Sequence, residues 1–339
     1  MSEPQPVPPP RQMLQLASGY FVSQSLHAAA RLGIADLLAD GPLATAKLAE
    51  RTGTHEPSLY RLLRALAAVG VFGETDARTF ALTPLAELLR SGVPGSMRGA
   101  VQMLGDPEHY RAWGELEHSV RTGGPAFDHA FGMGVFEYFQ AHPEAAATFD
   151  QAMTDLTDAE GIAAAYPFPQ SGTVVDVAGG HGSLLAAILR ANPGLQGVLF
   201  DLPHVIERAR EQGLLAGDLA GRRRFEAGSF FEGVPAGADF YVMKHIIHDW
   251  DDEHCLRILA HCRAALRPEG RLLVIDTVIP PGNDPHPGKF MDLNMLVMTH
   301  GGRERTEEEF RSLFERAGFR LARIVPTRSG VCYVEGAPA

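Results

Sequence analysis

The sequence predicts an α/β protein in which a doubly wound parallel sheet follows an N-terminal helical domain. From residue 172 onward, short apolar runs alternate with amphipathic stretches, as in "TVVDVAGG" followed by "SLLAAILRANP". Such alternation is typical of parallel strands joined by crossover helices. Before residue 100, apolar residues recur at three- and four-residue spacing, which predicts helices. A chain of 339 residues is long for one domain and sufficient for two.

We expect four segments along the chain. The Pro-rich residues 1–12 predict a flexible tail. Residues 13–100 predict a winged-helix-like domain, because the alternating stretch "GVFGETDARTFALT" follows two helices as a wing would. Residues 101–165 predict a helical linker that also contributes to a substrate pocket, and residues 166–339 predict the Rossmann-like α/β domain.

Composition argues against several classes of partner. The net charge of −11 opposes a nucleic-acid backbone, and residues 40–98 hold seven Lys and Arg against six Asp and Glu, so no basic face is indicated. No apolar run is long enough to span a membrane, and the N-terminus lacks the pattern of a signal peptide. Three cysteines without metal-ligand spacing indicate reduced thiols. We therefore expect a cytoplasmic protein that binds neither nucleic acid nor membrane.

A glycine loop follows the first strand of the predicted sheet. In "DVAGGHGSLL", Gly179, Gly180 and Gly182 allow a close approach of backbone to ligand, but the third glycine of a dinucleotide fingerprint is missing. An ionised Asp176 beside the loop would repel a pyrophosphate and favour a ligand with ammonium and sulfonium charges. S-adenosylmethionine has those charges and no phosphate. A tight strand–helix turn without any ligand is the alternative.

The next two strands end in further candidate contacts for this cofactor. Asp201 ends the second strand, where a carboxylate accepts hydrogen bonds from both ribose hydroxyls in related nucleotide sites. The stretch "GSFFEG" ends the third strand. We expect Ser229 to meet the adenine edge and Phe230 or Phe231 to meet its face, although aromatic residues there also suit a core.

A cluster of ionisable residues, "MKHIIHDWDDEHC", follows the fourth strand. A neutral imidazole is well suited to remove a proton from a phenol, so we expect His248 to be a general base. A carboxylate on the other ring nitrogen would fix its tautomer. Asp276, at the end of the next strand, and Glu304, in "GGRERTEEEF", are the two candidates for that carboxylate.

Other residues of the cluster have simpler explanations. Asp249, Asp251 and Asp252 are interpreted as acids at the start of a helix. His245 and His248 lack an obvious third metal ligand, so a metal site is disfavoured. Lys244 is a candidate to contact either the cofactor or a backbone carbonyl. Trp250 is a candidate to cover the adenine, and core packing is the alternative for this tryptophan.

A methionine stripe in "FMDLNMLVMTHGG" is a candidate substrate wall. Met291, Met295 and Met298 fall on nearly one helical face, and thioethers adapt to flat aromatic ligands. Core packing is the competing interpretation. Asn294 lies between them and is a candidate to hydrogen-bond an oxygen of the substrate. Aromatic and Met residues also recur around "VFEYFQAHPEAAATFDQAM", where most suit a core and a few suit a pocket.

Taken together, these motifs resemble a family of enzymes. The stretches "LGIADLL", "VVDVAGGHGSLL", "FDLPHVI", "GSFFEGVPAGADFYVMKHIIHDWDDE" and "GGRERTEEEF" occur in the order found in S-adenosylmethionine-dependent O-methyltransferases of the caffeate, acetylserotonin and bacterial polyketide type. The resemblance covers about residues 13–336. It implies a metal-independent homodimer whose N-terminal domain serves dimerisation and helps to wall the partner's pocket, with an aromatic small molecule as acceptor and S-adenosylhomocysteine as product.

The resemblance also implies roles for particular residues. His248 would be the base, with Asp276 and Glu304 as flanking acids. Together with the motif analysis above, it gives a full set of expected cofactor contacts: Asp176, Gly179, Gly180, Gly182, Asp201, Leu202, Ser229, Phe230, Phe231, Lys244 and Trp250. The expected substrate contacts are Trp113, Phe139, Met153, Asn294, Met295 and Met298.

Two positions depart from the family pattern. Many relatives carry Asp where Ser229 stands, and plant members carry Glu where Asp276 stands. The stretch expected to line the acceptor pocket also differs from that of plant members. The Ala- and Arg-rich composition resembles that of an enzyme of bacterial secondary metabolism. Two alternatives to methyl transfer stay open: hydroxylation or pericyclic chemistry on the same scaffold, and a winged-helix regulator with a ligand-sensing domain.

Overall fold

The computed structural model of the chain describes residues 7–339, and these residues form two compact units. Unit 1 comprises residues 7–111 and 139–156, and unit 2 comprises residues 112–138 and 157–339. The helical region expected over residues 101–165 is therefore shared between the two units. Residues 1–6 of the expected tail lie outside the described residues. The predicted tail, residues 1–12, is too long, because a helix begins at Pro9.

Eighteen α-helices occur within the described residues. In chain order they are α1 (Pro9–Ala17), α2 (Gly19–Arg31), α3 (Ile34–Leu37), α4 (Thr45–Thr52), α5 (Glu56–Ala68), α6 (Pro84–Glu87), α7 (Arg98–Gly105), α8 (Pro107–Gly114), α9 (Leu116–Thr122), α10 (Ala126–Phe131), α11 (Val135–Ala141), α12 (Pro143–Asp155), α13 (Ala159–Ala165), α14 (Ser183–Ala191), α15 (Pro203–Gln212), α16 (Asp252–Ala265), α17 (Gly288–Met298) and α18 (Glu307–Arg316).

Ten strands accompany the helices in residues 7–339. They are β1 (Leu43–Ala44), β2 (Phe72–Asp76), β3 (Thr79–Leu82), β4 (Gly172–Val177), β5 (Leu195–Asp201), β6 (Arg223–Ala227), β7 (Phe240–Lys244), β8 (Arg271–Asp276), β9 (Phe319–Pro326) and β10 (Cys332–Pro338). Two short 3-10 turns cover Gly217–Arg222 and Ile247–Asp249.

Unit 1 contains helices α2 to α6 and a small antiparallel sheet in the order β1-β3-β2. The hairpin of β2 and β3 is the predicted wing. Leu48 of α4, Leu63 of α5 and Phe80 of β3 are completely buried in one apolar cluster. The apolar spacing noted in the sequence therefore marks the faces that these helices and the hairpin bury together.

Unit 2 is built on a seven-stranded sheet in the order β6-β5-β4-β7-β8-β10-β9. Strands β4 to β8 are parallel, which confirms the predicted doubly wound α/β fold. The last two strands were not predicted, and β10 lies antiparallel to both β8 and β9. The sheet is therefore mixed, with an antiparallel pair at one side.

The parallel strands are buried on both faces. Neighbouring residues of β4 enter different cores: Val174 packs with Leu185 of α14, and Val175 packs with Ile258 of α16 and Phe310 of α18. This follows from the two-residue period of a strand, and it explains the continuous apolar runs in the sequence. Polar side chains in these strands are therefore concentrated near the strand ends.

The chain reverses its winding direction between β4 and β7, since β5 and β6 lie to one side and β7 and β8 to the other. In open α/β sheets, ligands bind beyond the carboxyl ends of the strands at such a reversal. Asp201, Lys244 and Asp276 are the last residues of β5, β7 and β8, so the fold places them along this edge. Across residues 7–339, no helix is both long and apolar enough to cross a membrane.

Candidate functional site

The glycine loop after β4 has an unusual backbone. Ala178, Gly180 and Gly182 have φ values of 55°, 57° and 83°, in the left-handed region. A Cβ atom at Gly179 would lie 2.5 Å from Leu199 Cδ1, whereas one at Gly180 would meet no atom within 4 Å. Gly179 is therefore required by the packing of the loop on β5, and the open side of the loop lies at Gly180.

The loop is fastened to the end of β5 through Asp201. The backbone N–H of Gly180 donates to Asp201 Oδ2 at 2.9 Å, and that of Leu202 donates to Oδ1 at 2.7 Å. Burial raises the pKa of Asp201 above its usual range, while the two N–H groups oppose that rise. Because each carboxylate oxygen has more than one lone pair, both retain capacity for ligand hydroxyls. Asp201 and Gly180 are thus held together by a hydrogen bond, as the expected ribose site requires.

Asp176 is a buried acid without full hydrogen bonding. Its side chain is 2% exposed, and its Oδ2 atom has no hydrogen-bond partner among the described residues. Burial and the nearby Asp201 raise its pKa to about 7. A cationic ligand beside this carboxyl would favour its ionised form, whereas a pyrophosphate would oppose it, so the residues present fit S-adenosylmethionine.

Lys244, the last residue of β7, makes an unexpected contact with His245, which follows it. Lys244 Nζ lies 2.9 Å from His245 Nδ1, and the His245 backbone has a φ of 54°. Burial lowers the pKa of Lys244 to about 8, against the attraction of Asp276 and Asp176. Burial also lowers the pKa of His245 well below its usual value, so its ring is neutral near pH 7.

His248 is held by a direct hydrogen bond to a carboxylate. His248 Nδ1 lies 2.9 Å from Glu304 Oε1, and both side chains are buried. Of the two acids expected beside the histidine, Glu304 is therefore the one that bonds its ring. Burial favours the neutral ring, but Asp249, Glu304 and Asp276 together raise the pKa of His248 to about 9.

Asp276 acts on this ring only through space. It is completely buried, and neither of its carboxylate oxygens has a hydrogen-bond partner within the described chain. Burial raises its pKa to about 7. As adjacent-strand geometry predicted, Asp276 is near enough to His248 for its charge to raise the pKa of the ring. The two side chains form no hydrogen bond.

Asp249 has a different place from the one predicted. It does not start the helix: Asp251 caps α16, and Asp252 lies in the first turn. Asp249 belongs to the preceding 3-10 turn, with its Oδ1 atom 3.5 Å from His248 Nε2. The interpretation of all three acids as helix-start residues is therefore wrong for Asp249. The signal in the sequence was its position directly after the candidate base.

A buried arginine fixes the turn that carries His248. Arg305 donates to the carbonyl oxygens of Ile247 at 2.9 Å and Trp250 at 3.1 Å, and to Asp252 Oδ1 at 2.9 Å. Its side chain is 1% exposed. A guanidinium presents several donors in a rigid fork, so one residue orients both ends of the turn. Sequence reasoning did not single out Arg305.

Aromatic residues expected near the adenine form one cluster. The rings of Phe231 and Trp250 lie 4.8 Å apart in an edge-to-face arrangement, and Phe230 contacts both. All three are partly buried against the core. Ser229 Oγ accepts the N–H of Phe231 at 3.3 Å, so this hydroxyl is engaged locally.

The expected substrate residues fall into both units. Within unit 2, Trp113 Nε1 donates to Asn294 Oδ1 at 2.9 Å. Met295 and Met298 of the same helix, α17, are buried, whereas Met291 is 39% exposed. The methionine face is therefore mainly core. Phe139 and Met153 belong to unit 1, where the ring of Phe139 lies 4.8 Å from that of Phe149 and Met153 packs on Ala100 and Ala152.

Residues 7–339 contain no group of three or more His, Cys, Asp or Glu side chains arranged to hold a metal ion. In particular, His245 and His248 have parallel rings with centroids 4.9 Å apart and an interplanar angle of 16°, and each ring has its own hydrogen-bond partner. The two rings therefore stack on each other.

The sequence matches two families along its length. Residues 14–92 match the O-methyltransferase dimerisation domain, and residues 113–320 match the O-methyltransferase domain. A phenazine O-methyltransferase of Lysobacter antibioticus is 46% identical over 328 residues, covering 96% of this chain and 95% of that protein. A 3-amino-4-hydroxybenzoate 4-O-methyltransferase of Streptomyces cremeus is 42% identical over 313 residues, covering 92% of this chain and 85% of that protein.

The chain is also similar to a solved O-methyltransferase structure. The O-methyltransferase NcsB1 from neocarzinostatin biosynthesis, in complex with S-adenosylmethionine and 2-hydroxy-5-methyl naphthoic acid, has a TM-score of 0.78 and 36% identity to this chain. The match covers 94% of this chain and 96% of that one.

We predict that Glu304→Gln lowers the pKa of His248 from about 9 by roughly one unit or more, because an adjacent negative charge that stabilises the imidazolium is removed. An NMR titration of labelled histidine rings would measure this, with the His248 signal assigned from a His248→Ala spectrum. Glu307→Gln, at an exposed acid of the first turn of α18, is the control. An unchanged or higher pKa of His248 in Glu304→Gln would show that the Glu304 carboxylate does not stabilise the protonated His248 ring.

Proposed function

Because this chain belongs to the O-methyltransferase family, we propose that it transfers a methyl group from S-adenosylmethionine to a phenolic hydroxyl of an aromatic small molecule, with His248 as the general base. The match confirms the family resemblance drawn from the motifs. The observation that carries the proposed role of His248 is its hydrogen bond to Glu304, 2.9 Å long, just beyond the carboxyl end of β7. The named relatives act on aromatic metabolites, which supports the acceptor class.

The residues near the glycine loop would hold the cofactor. Asp201 is placed to accept hydrogen bonds from two ribose hydroxyls, and Gly180 gives the loop its open side. Asp176 contributes negative charge, and the cluster of Phe230, Phe231 and Trp250 offers apolar rings for an adenine. When bound there, S-adenosylmethionine supplies an electrophilic methyl group on a positively charged sulfur.

The hydrogen bond to Glu304 decides which nitrogen of His248 acts. Nδ1–H donates to Glu304 Oε1, so Nε2 is the atom left to receive a proton from the acceptor hydroxyl. Asp249 Oδ1, 3.5 Å from Nε2, and Glu304 then stabilise the imidazolium that forms. A base whose pKa is about 9 is also well matched to a phenol, whose pKa is near 10.

We expect His248→Ala to lower methyl transfer by roughly 10²–10⁴-fold, the usual contribution of a general base, while S-adenosylhomocysteine binding is retained. Asp201→Ala should instead weaken cofactor binding by about tenfold or more, because hydrogen bonds to a charged group are lost. Turnover would be followed with methyl-labelled cofactor and a panel of phenols by mass spectrometry, and binding by calorimetry.

The outcomes of this experiment separate the alternatives. Turnover at the wild-type rate in His248→Ala would contradict the base assignment. An altered product that lacks the labelled methyl group would favour hydroxylation or pericyclic chemistry on the same scaffold. A salt-sensitive gel shift with genomic DNA would favour the winged-helix regulator.

The pH dependence of the reaction has a definite sign. The base must be neutral to accept a proton, and the carboxylates around His248 hold its pKa at about 9. We therefore predict that kcat/KM rises about tenfold per pH unit below pH 9 and levels off above it. In Glu304→Gln the plateau should begin at lower pH. A profile that is flat between pH 6 and 9 in the wild-type enzyme, measured under subsaturating acceptor, would contradict this assignment.

We also propose that the enzyme is a homodimer that assembles through the N-terminal helices. A group of apolar residues in α1 and α2 is exposed in the single chain, with Leu14 69% and Phe21 60% accessible to solvent. Its members are Met13, Leu14, Leu16, Tyr20, Phe21 and Val22. Apolar surface of this extent is typical of a protein interface, and the match to a dimerisation domain over residues 14–92 supports it.

We predict that the double substitution Leu14→Asp with Phe21→Asp converts a dimer into a monomer, because charged side chains disfavour burial of this surface. Sedimentation velocity measures the change. Val120→Asp, at an apolar residue of unit 2 that is also exposed, is the control and should leave the dimer intact. A monomeric wild-type protein, or a double variant that remains dimeric, would contradict the proposal.

A further inference from the structure

His245 adopts a backbone conformation that is costly for its residue type. Its φ of 54° lies in the left-handed region, which residues with a Cβ atom rarely adopt. The backbone N–H still donates to Ile275 O at 3.1 Å, so the residue is anchored to β8. Strain of this kind persists where surrounding contacts require it, and it is concentrated at functional sites.

The strained backbone lets two consecutive side chains meet. In an extended strand, Lys244 and His245 would point to opposite faces of the sheet. The left-handed turn instead brings Lys244 Nζ to 2.9 Å from His245 Nδ1. An ammonium group only donates, so Nδ1 is the acceptor and the ring proton of His245 lies on Nε2. On the other side, the ring stacks on that of His248 with centroids 4.9 Å apart.

We propose that His245 is a positioning residue with two functions: its Nδ1 atom holds the ammonium group of Lys244, and its ring covers one face of the His248 imidazole. The inference rests on the proposed roles of Lys244 at the cofactor and His248 as the base. It adds a residue that neither the motifs nor the family match assigned.

Charges near His245 favour the neutral form of its ring. Lys244 of β7 and His248 of the following turn both disfavour a second positive charge beside them. The carboxylates act on these two neighbours: Asp176 of β4 and Asp276 of β8 on Lys244, and Asp249, Asp276 and Glu304 on His248. His245 is therefore a neutral acceptor between a cationic lysine and a basic imidazole.

Covering the face of His248 has a consequence for its ionisation. Burial is the largest influence on the pKa of His248, and it acts to lower it. Removal of the His245 ring would admit water to one face of the imidazole and weaken this influence. The pKa of His248 would then rise, and more of the base would be protonated at neutral pH.

Two substitutions separate the two contacts. His245→Asn keeps an acceptor, tolerates positive φ and loses the ring. We expect it to retain the wild-type Kd for S-adenosylhomocysteine and to move the midpoint of the kcat/KM profile up by about 0.5–1 pH unit. His245→Phe keeps the ring and loses the acceptor. We expect its midpoint to be unchanged and its Kd to rise roughly tenfold, the effect of one charge-assisted hydrogen bond.

A third variant and a control complete the test. His245→Gly relieves the backbone strain and loses both contacts, so both readouts should change together even if the Phe variant fails to fold. His55→Asn and His55→Phe, at an exposed histidine of unit 1, should change neither. A lower melting temperature in the His245 variants with wild-type Kd and midpoint would indicate a structural role only and overturn the inference.

The result also distinguishes this inference from the proposed function. If His248→Ala abolishes turnover while all His245 variants keep wild-type Kd and pH midpoint, the inference alone fails. If His248→Ala retains turnover, the proposed function fails irrespective of His245.

Discussion

The burial of ionisable groups at one edge of the sheet is the constraint on which the site depends. Strands β4, β7 and β8 are covered by helices on both faces, and Asp176, Lys244 and Asp276 lie at or next to their carboxyl ends. At that edge, Asp176, Asp276 and Glu304 are buried with carboxylate oxygens that have no partner among the described residues. Their basic neighbours are Lys244, His248 and Arg305. Because Asp201 and Asp249 add two further acids, acids outnumber bases here, and such an imbalance is costly without a ligand.

This imbalance explains the direction of the pKa shifts. Burial raises the pKa values of Asp176 and Asp276 to about 7, because each carboxylate has lost water without gaining a full set of hydrogen bonds. Asp276, together with Asp249 and Glu304, favours protonated His248, whose pKa rises to about 9. A cationic cofactor would offset part of this negative charge. Binding of the cofactor and the charge of His248 are therefore linked through one electrostatic field.

Much of the fold and part of the site followed from local sequence patterns. Four of the five parallel strands were visible as apolar runs, the exception being the charged "RRFEA" of β6, and the ends of β5 and β8 gave Asp201 and Asp276 directly. The strand β9 was missed because "FRLARIVP" mixes apolar and charged residues and is not a continuous apolar run. The strand β10, "CYVEGAP", was missed because no crossover helix separates it from β9. Glu304 could be named as a candidate, but the choice between it and Asp276 depended on the loop after α17, whose path is set by tertiary contacts.

The residues that sequence reasoning missed share a cause. Asp249 was interpreted as a helix-start acid because α16 begins three residues later. The 3-10 turn that instead contains Asp249 could not be recognised from the sequence. His245 attracted notice only as a metal ligand, since a left-handed backbone in a histidine leaves no mark in composition or spacing. Arg305 is an ordinary charged residue in the sequence. Its complete burial follows from the carbonyl groups that surround it in three dimensions.

The consecutive residues Glu304 and Arg305 have an evolutionary consequence. Glu304 hydrogen-bonds the ring of His248, and Arg305 fixes the turn that carries this histidine. A single inserted or deleted residue between α17 and Thr306 would therefore displace both at once. Changes of acceptor therefore have to arise elsewhere in the chain. Natural diversification of this scaffold is expected in α9, α10 and the exposed face of α17, where Phe290 and Met291 meet solvent, while the length of this connection stays fixed.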